Sequence, residues 1–137
     1  MAHRYRWIEE HKICLVRYEG TMDGHDFIAA DSEVFGATRG AGVRYLFDMR
    51  DVHITGGAAT ARVYATWLSE SNLAASNPGA QQAIVVENPE DTGLSMLMAT
   101  ISDPGLDFRI FSTLEGACGA LDIPIEVLDE HRDLIPA

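Results

Sequence analysis

The sequence predicts an α/β fold: a mixed, mostly parallel five-stranded sheet with about four helices, in the order ββαβαβαβα. Three observations carry this expectation. Short runs rich in β-branched and aromatic residues alternate with segments whose apolar residues recur at helical spacing, as in parallel strands joined by helical crossovers. The first two apolar runs are too close together for a crossover and read as an antiparallel hairpin. The chain has 137 residues, 47% of them hydrophobic and 23% charged, which suits one domain with its own core and no disulfide or metal staple.

The elements follow in order. Arg4 to Glu9 is expected as an edge strand with Tyr5 and Trp7 on one face, and Glu10-His11 as a turn. Ile13 to Tyr18 is mostly apolar and reads as an interior strand ended by Glu19 to Met22. Asp23 is placed to cap a first helix with an apolar stripe of Phe27, Ala30, Val34 and Phe35, stopped by Gly40-Ala-Gly42. Val43 to Asp48 is the expected central strand. A Thr55-Gly-Gly57 turn leads into a helix from about Ala58 to Ala74, with Val63, Tyr64, Trp67 and Leu68 buried and Arg62 and Glu70 in water.

Ser76-Asn-Pro-Gly79 is turn punctuation, and Ala83 to Val86 is a short buried strand. Leu94, Leu97, Met98 and Ile101 mark a third helix, ended by Asp103-Pro-Gly105. Phe108 to Phe111 is the last strand. Ser112 or Thr113 caps a fourth helix, with Glu115 near the capping-box position and Leu114, Ala117, Cys118 and Leu121 inward. Residues 1–137 read as one domain with a core over about 4–122. The acidic tail, 123–137, either adds a helical turn or stays loosely attached.

The element order, with Leu46-Phe-Asp-Met-Arg-Asp-Val52 and Phe108-Arg-Ile-Phe-Ser-Thr-Leu-Glu-Gly-Ala-Cys-Gly-Ala-Leu121, resembles the SpoIIAA-like fold of STAS domains, which include the anti-sigma factor antagonists. The similarity is to the small, little-characterised bacterial proteins of that superfamily. It implies a regulatory or protein-interaction module without catalysis, acting around the second helix and as a homodimer. In regulatory STAS domains a serine in a "DSSG"-like turn at the start of that helix is phosphorylated. Here the turn is Ile54-Thr-Gly-Gly-Ala-Ala59, where glycine and alanine stand at the serine positions, and only Thr55 and Thr60 offer hydroxyls.

Ten basic against twenty-one acidic residues give a net charge of −11, with Lys12 the single lysine. Nucleic acid and anionic membranes reward basic clusters and are excluded as expected partners. A protein partner remains open. No apolar run follows Met1 to Arg6 and no stretch is long enough to span a membrane, so a cytoplasmic protein is expected. Cys14 and Cys118 lie in apolar patterns and read as buried thiols; His3, His11, His25, His53 and His131 are scattered, and neither metal nor cofactor is expected.

Three groups of residues are candidates for function. Asp48, Arg50, Asp51 and His53, with Glu87 and Asn88, would meet at the carboxyl ends of parallel strands, where open α/β sheets bind ligands. A carboxylate, a guanidinium and an imidazole meeting in a pocket have acid–base chemistry; a structural ion pair is the simpler reading. Thr55, Gly56, Gly57 and Thr60 form an anion or interaction site ahead of a helix, without the lysine and spacing of a phosphate-binding loop. Tyr64, Trp67, Met96 and Met98 are wall residues for a small apolar or lipid-like ligand between the sheet and a movable helix. This second function stays open because STAS folds resemble lipid-binding CRAL/TRIO domains in outline. An enzyme ranks third, since no nucleophile elbow is present.

Overall fold

The computed structural model describes residues 3–71, 73–101 and 107–137. Strands β1 (His3–Ile8) and β2 (Ile13–Met22) form the antiparallel hairpin, joined by a 3₁₀ turn over Glu9–His11. Then come α1 (Gly24–Ala37), β3 (Arg44–Ile54), α2 (Gly57–Glu70), the short α3 (Leu73–Ser76) and β4 (Gln81–Val85). The chain continues through α4 (Pro89–Ile101), β5 (Asp107–Phe111), α5 (Leu114–Leu121) and α6 (Ile125–Asp129). The expected Asp103-Pro-Gly105 stop lies outside the described residues.

The strands lie in the order β1-β2-β3-β4-β5, with every pair after the first parallel. Each parallel connection therefore steps one place in the same direction. Right-handed crossovers that all step one way put their helices on one face. Residues of α1 and α2 accordingly pack with Tyr18, Tyr45 and Phe47 in one apolar cluster, and Leu94 and Met98 of α4 join it. The opposite face would be bare, which a parallel sheet does not tolerate. It is covered by α5 and by the tail: Leu114, Leu121, Ile123, Leu128, Leu134 and Ile135 are all buried against Leu15, Leu46 and Val85. The tail is thus half of the second layer, although the sequence left its attachment open.

Local chemistry explains several element ends. Asp23 caps α1 in a full capping box, its side chain accepting from Asp26 N at 3.0 Å while Asp26 accepts from Asp23 N at 2.9 Å. Thr113 caps α5 by accepting from Gly116 N, so Gly116 and not Glu115 holds the third position. On α2 the buried stripe is Thr60, Ala61, Tyr64, Ala65 and Leu68; Val63 is exposed, and Trp67 is half-buried. The expected helix to Ala74 ends at Glu70.

Strand β2 runs on to Met22, past the expected end at Tyr18. Its register against β3 pairs Arg17 with Asp48 but Glu19 with Asp51, so β3 carries one extra residue opposite Tyr18. Such a bulge re-aims side chains. It keeps Met49 and, beyond it, Val52 on the α1/α2 face. It lets Asp48 and Asp51 both reach Arg17, while Arg50 pairs with Asp48.

Candidate functional site

The sequence placed its polar cluster at strand ends because ligand crevices in open sheets form where the strand order reverses. This sheet never reverses, so it has no such crevice. The cluster instead ties the tail to the sheet. Arg50 donates to both oxygens of Asp48, at 2.8 and 3.0 Å, and to the Pro136 carbonyl at 2.6 Å. Arg17 lies 3.7 Å from Asp48, pairs with Asp51, and reaches the Leu134 carbonyl at 3.5 Å. Asp48 is 1% exposed, and two guanidiniums compensate its charge. His53, Glu87 and Asn88 are exposed, and among the described residues none of them hydrogen-bonds or ion-pairs with the cluster, although the charge of Glu87 helps to raise the Arg50 guanidinium; Asn88 instead hydrogen-bonds Asp91 at the start of α4. No acid–base constellation forms here.

The turn ahead of α2 is also structural. Gly56 and Gly57 both have positive φ, 86° and 54°, and α2 has no side-chain cap. The buried Thr60 hydroxyl donates to the Thr55 carbonyl and accepts from Gly24 N at 3.1 Å, so it locks the starts of α1 and α2 together. A Cβ at position 56 would meet that hydroxyl at 2.5 Å, which explains the glycine. Thr55 donates to the Met22 carbonyl at 3.3 Å.

The unusual chemistry lies elsewhere. Asp31 projects from α1 into the main core and is 2% exposed. Its two carboxylate oxygens each accept a short hydrogen bond, one from Tyr18 of β2 and one from Tyr64 of α2. Burial pushes the Asp31 carboxyl up to about 6, against the opposing pull of the two phenols and of His3. Burial and the Asp31 charge hold both tyrosines well above their usual range, and burial, helped by Asp31, pushes the Cys14 thiol up to about 12.

Asp31, Tyr18 and Tyr64 line a cavity of about 40 Å³ whose remaining walls are mostly apolar, including Phe27, Phe47, Ile84, Leu94, Met98 and Phe108. That is room for about three water-sized groups. Of the expected wall residues, Tyr64 and Met98 are on it. Trp67 is not: it stacks on Phe35 in a separate open groove of about 230 Å³ that also holds Arg39 and Asn77. Met96 is exposed.

Helix α4, which covers one side of the cavity, buries Asp91 and Ser95. Its apolar residues Leu94, Leu97 and Met98 are only half-buried; the side chain of Ile101 lies outside the described residues. Beside the cavity, Gln82 is fully buried with neither amide atom partnered among the described residues. It sits two residues from Ile84 on β4 and directly opposite Phe108 on β5, and both of those line the cavity.

Asp31 was readable in the sequence as an anomaly. It lies four residues after Phe27, three before Val34 and four before Phe35, within the apolar stripe. Its tyrosine partners had no local signature, because only the folded sheet brings β2 and α2 to α1.

Among the described residues, no group of three or more His, Cys, Asp and Glu is arranged to hold a metal ion, and no helix is long and apolar enough to cross a membrane. No protein-family model matches the chain, and no curated protein matches it.

Proposed function

We propose that the chain is a binding domain for a small, largely apolar molecule bearing a polar group, held between the sheet and α4. The observation that carries this reading is the buried carboxylate of Asp31 on the wall of a mostly apolar cavity, whose other polar groups are the hydroxyls of Tyr18, Tyr64, Thr60 and Ser95. Burying a carboxylate without a cation is costly, and buried carboxyls with perturbed titration cluster at functional sites. An apolar pocket with a few convergent polar groups is the usual form of a ligand site. The buried amide of Gln82, near the cavity and unpartnered among the described residues, and the half-buried apolar residues of α4 support it further. Ligands larger than the cavity enter by displacing α4.

At the level of fold, the five-stranded sheet and its element order support membership of the SpoIIAA-like superfamily, which we propose as the chain's relationship. The phospho-switch version of an interaction module has less support, because the Thr60 hydroxyl is buried and doubly hydrogen-bonded. A thermal-shift screen against small apolar alcohols, acids and amines tests the binding reading. Hits should raise the melting temperature and shift the amide NMR signals of Ala61, Tyr64, Leu94 and Phe108. A panel in which no compound does either would sink it.

A further inference from the structure

We propose that the site under α4 recognises an apolar amine, whose protonated nitrogen pairs with Asp31 while its hydrocarbon lies against the aromatic walls. This rests on the cavity being a ligand site, and it names the ligand's chemistry.

Both phenol hydrogens, of Tyr18 and Tyr64, are spent on Asp31. What the trio can offer a ligand is therefore acceptors only, the spare lone pairs of two phenol oxygens and a carboxylate; of the two other hydroxyls on the wall, Thr60 donates to the Thr55 carbonyl, which leaves that of Ser95. A ligand carboxylate would bring no donor and a repelling charge. An alcohol brings one donor. An ammonium brings three, and the charge that the site lacks.

Among the described residues, no cation contacts Asp31. The contacts that the structure gives Asp31 are to two neutral phenols. His3 acts on it only from farther away, and its Nε2 is engaged by Glu33 at 2.7 Å. The contrast with Asp48 is direct: that buried carboxylate is met by two arginines. The same fold thus neutralises one buried carboxylate completely and leaves the other, on a cavity wall, to be neutralised from outside.

Aromatic rings surround the trio. Tyr18 packs edge-on to Phe27 at 5.2 Å, Phe27 edge-on to Tyr64 at 6.3 Å, and Tyr18 stacks with Phe47 at 6.1 Å. Aromatic walls attract organic cations through their electron-rich faces while accepting hydrocarbon. The net charge of −11 also raises the local concentration of cations around the protein.

The test is an amide NMR titration of the full chain with n-hexylamine, 1-hexanol and hexanoate at neutral pH and physiological salt. The proposal expects hexylamine to bind about tenfold or more tightly than hexanol. It expects hexanoate to bind weakest, and the shifts to centre on cavity residues of α2 and α4. Asp31→Asn should abolish the preference for amine while keeping hexanol binding. Tyr64→Phe, which retains the carboxylate, should keep the preference. Hexanol or hexanoate binding as tightly as hexylamine overturns the amine assignment but leaves the ligand site standing. Hexylamine shifts scattered over the acidic surface also overturn it. If none of the three probes binds, both the assignment and the binding reading fail.

Discussion

Asp31→Asn should stabilise the free protein at neutral pH, although it alters a fully buried, hydrogen-bonded residue. An aspartate carboxyl ordinarily titrates near 3.8, and burial raises that of Asp31 to about 6. The folded state therefore holds a proton that the unfolded state has released. Stability falls as pH rises through the window from about 4 to about 6, and the loss is complete above it. A shift of about two units at roughly 1.4 kcal/mol each is a penalty of about 3 kcal/mol at pH 7. Asparagine keeps the shape, accepts from one phenol and donates to the other, and carries no charge. Allowing about 1 kcal/mol for imperfect hydrogen bonds, the variant should gain about 2 kcal/mol at pH 7.5 and lose up to about 1 kcal/mol at pH 4. The assay is urea denaturation of both proteins across that range, read as a difference so that other carboxylates cancel. A variant less stable than the parent by 1 kcal/mol or more at pH 7.5, with an unchanged pH slope, would refute the reasoning. Asp31 would then be an ordinary structural acceptor.

Other perturbations separate structure from function. Arg50→Ala leaves Asp48 buried with only the more distant Arg17, and should cost about 3 kcal/mol in urea denaturation without changing hexylamine affinity. Removing residues 134–137 strips Leu134 and Ile135 from the second face and should cost about 3 to 5 kcal/mol, or prevent folding, as read by circular dichroism. Gln82→Met replaces a buried amide, unpartnered among the described residues, with an apolar side chain of similar volume. It should stabilise by about 1 to 2 kcal/mol and weaken binding only of ligands that carry a second polar group, measured by calorimetry.

Much of the fold was legible in the sequence because periodicity reports burial directly. The hairpin, the central position of β3, and the caps at Asp23 and Thr113 all follow from local patterns. The tail was not legible, since its apolar residues Ile123, Leu128, Leu134 and Ile135 are too sparse to form a periodic stripe. Their burial follows only once the strand order is known and one sheet face is seen to be uncovered. The site was legible in a different way. Charge density drew the reading to Asp48, Arg50 and Asp51, but those charges answer one another across the β3 bulge. The informative residue, Asp31, is a single carboxylate in an apolar stripe, and it stands out by position rather than by any motif. That Trp67 turns away from the cavity while Phe108 lines it depends on packing between elements distant in sequence.

The most direct test is to follow the side-chain carboxyl ¹³C signal of Asp31 through a pH titration, with and without saturating n-hexylamine. Asp31 should titrate near 6 in the free protein and at least one unit lower with the amine bound, because a cation favours the ionised carboxylate. A free-protein value near the ordinary 4, or a value near 6 that the amine leaves unmoved, would contradict the account.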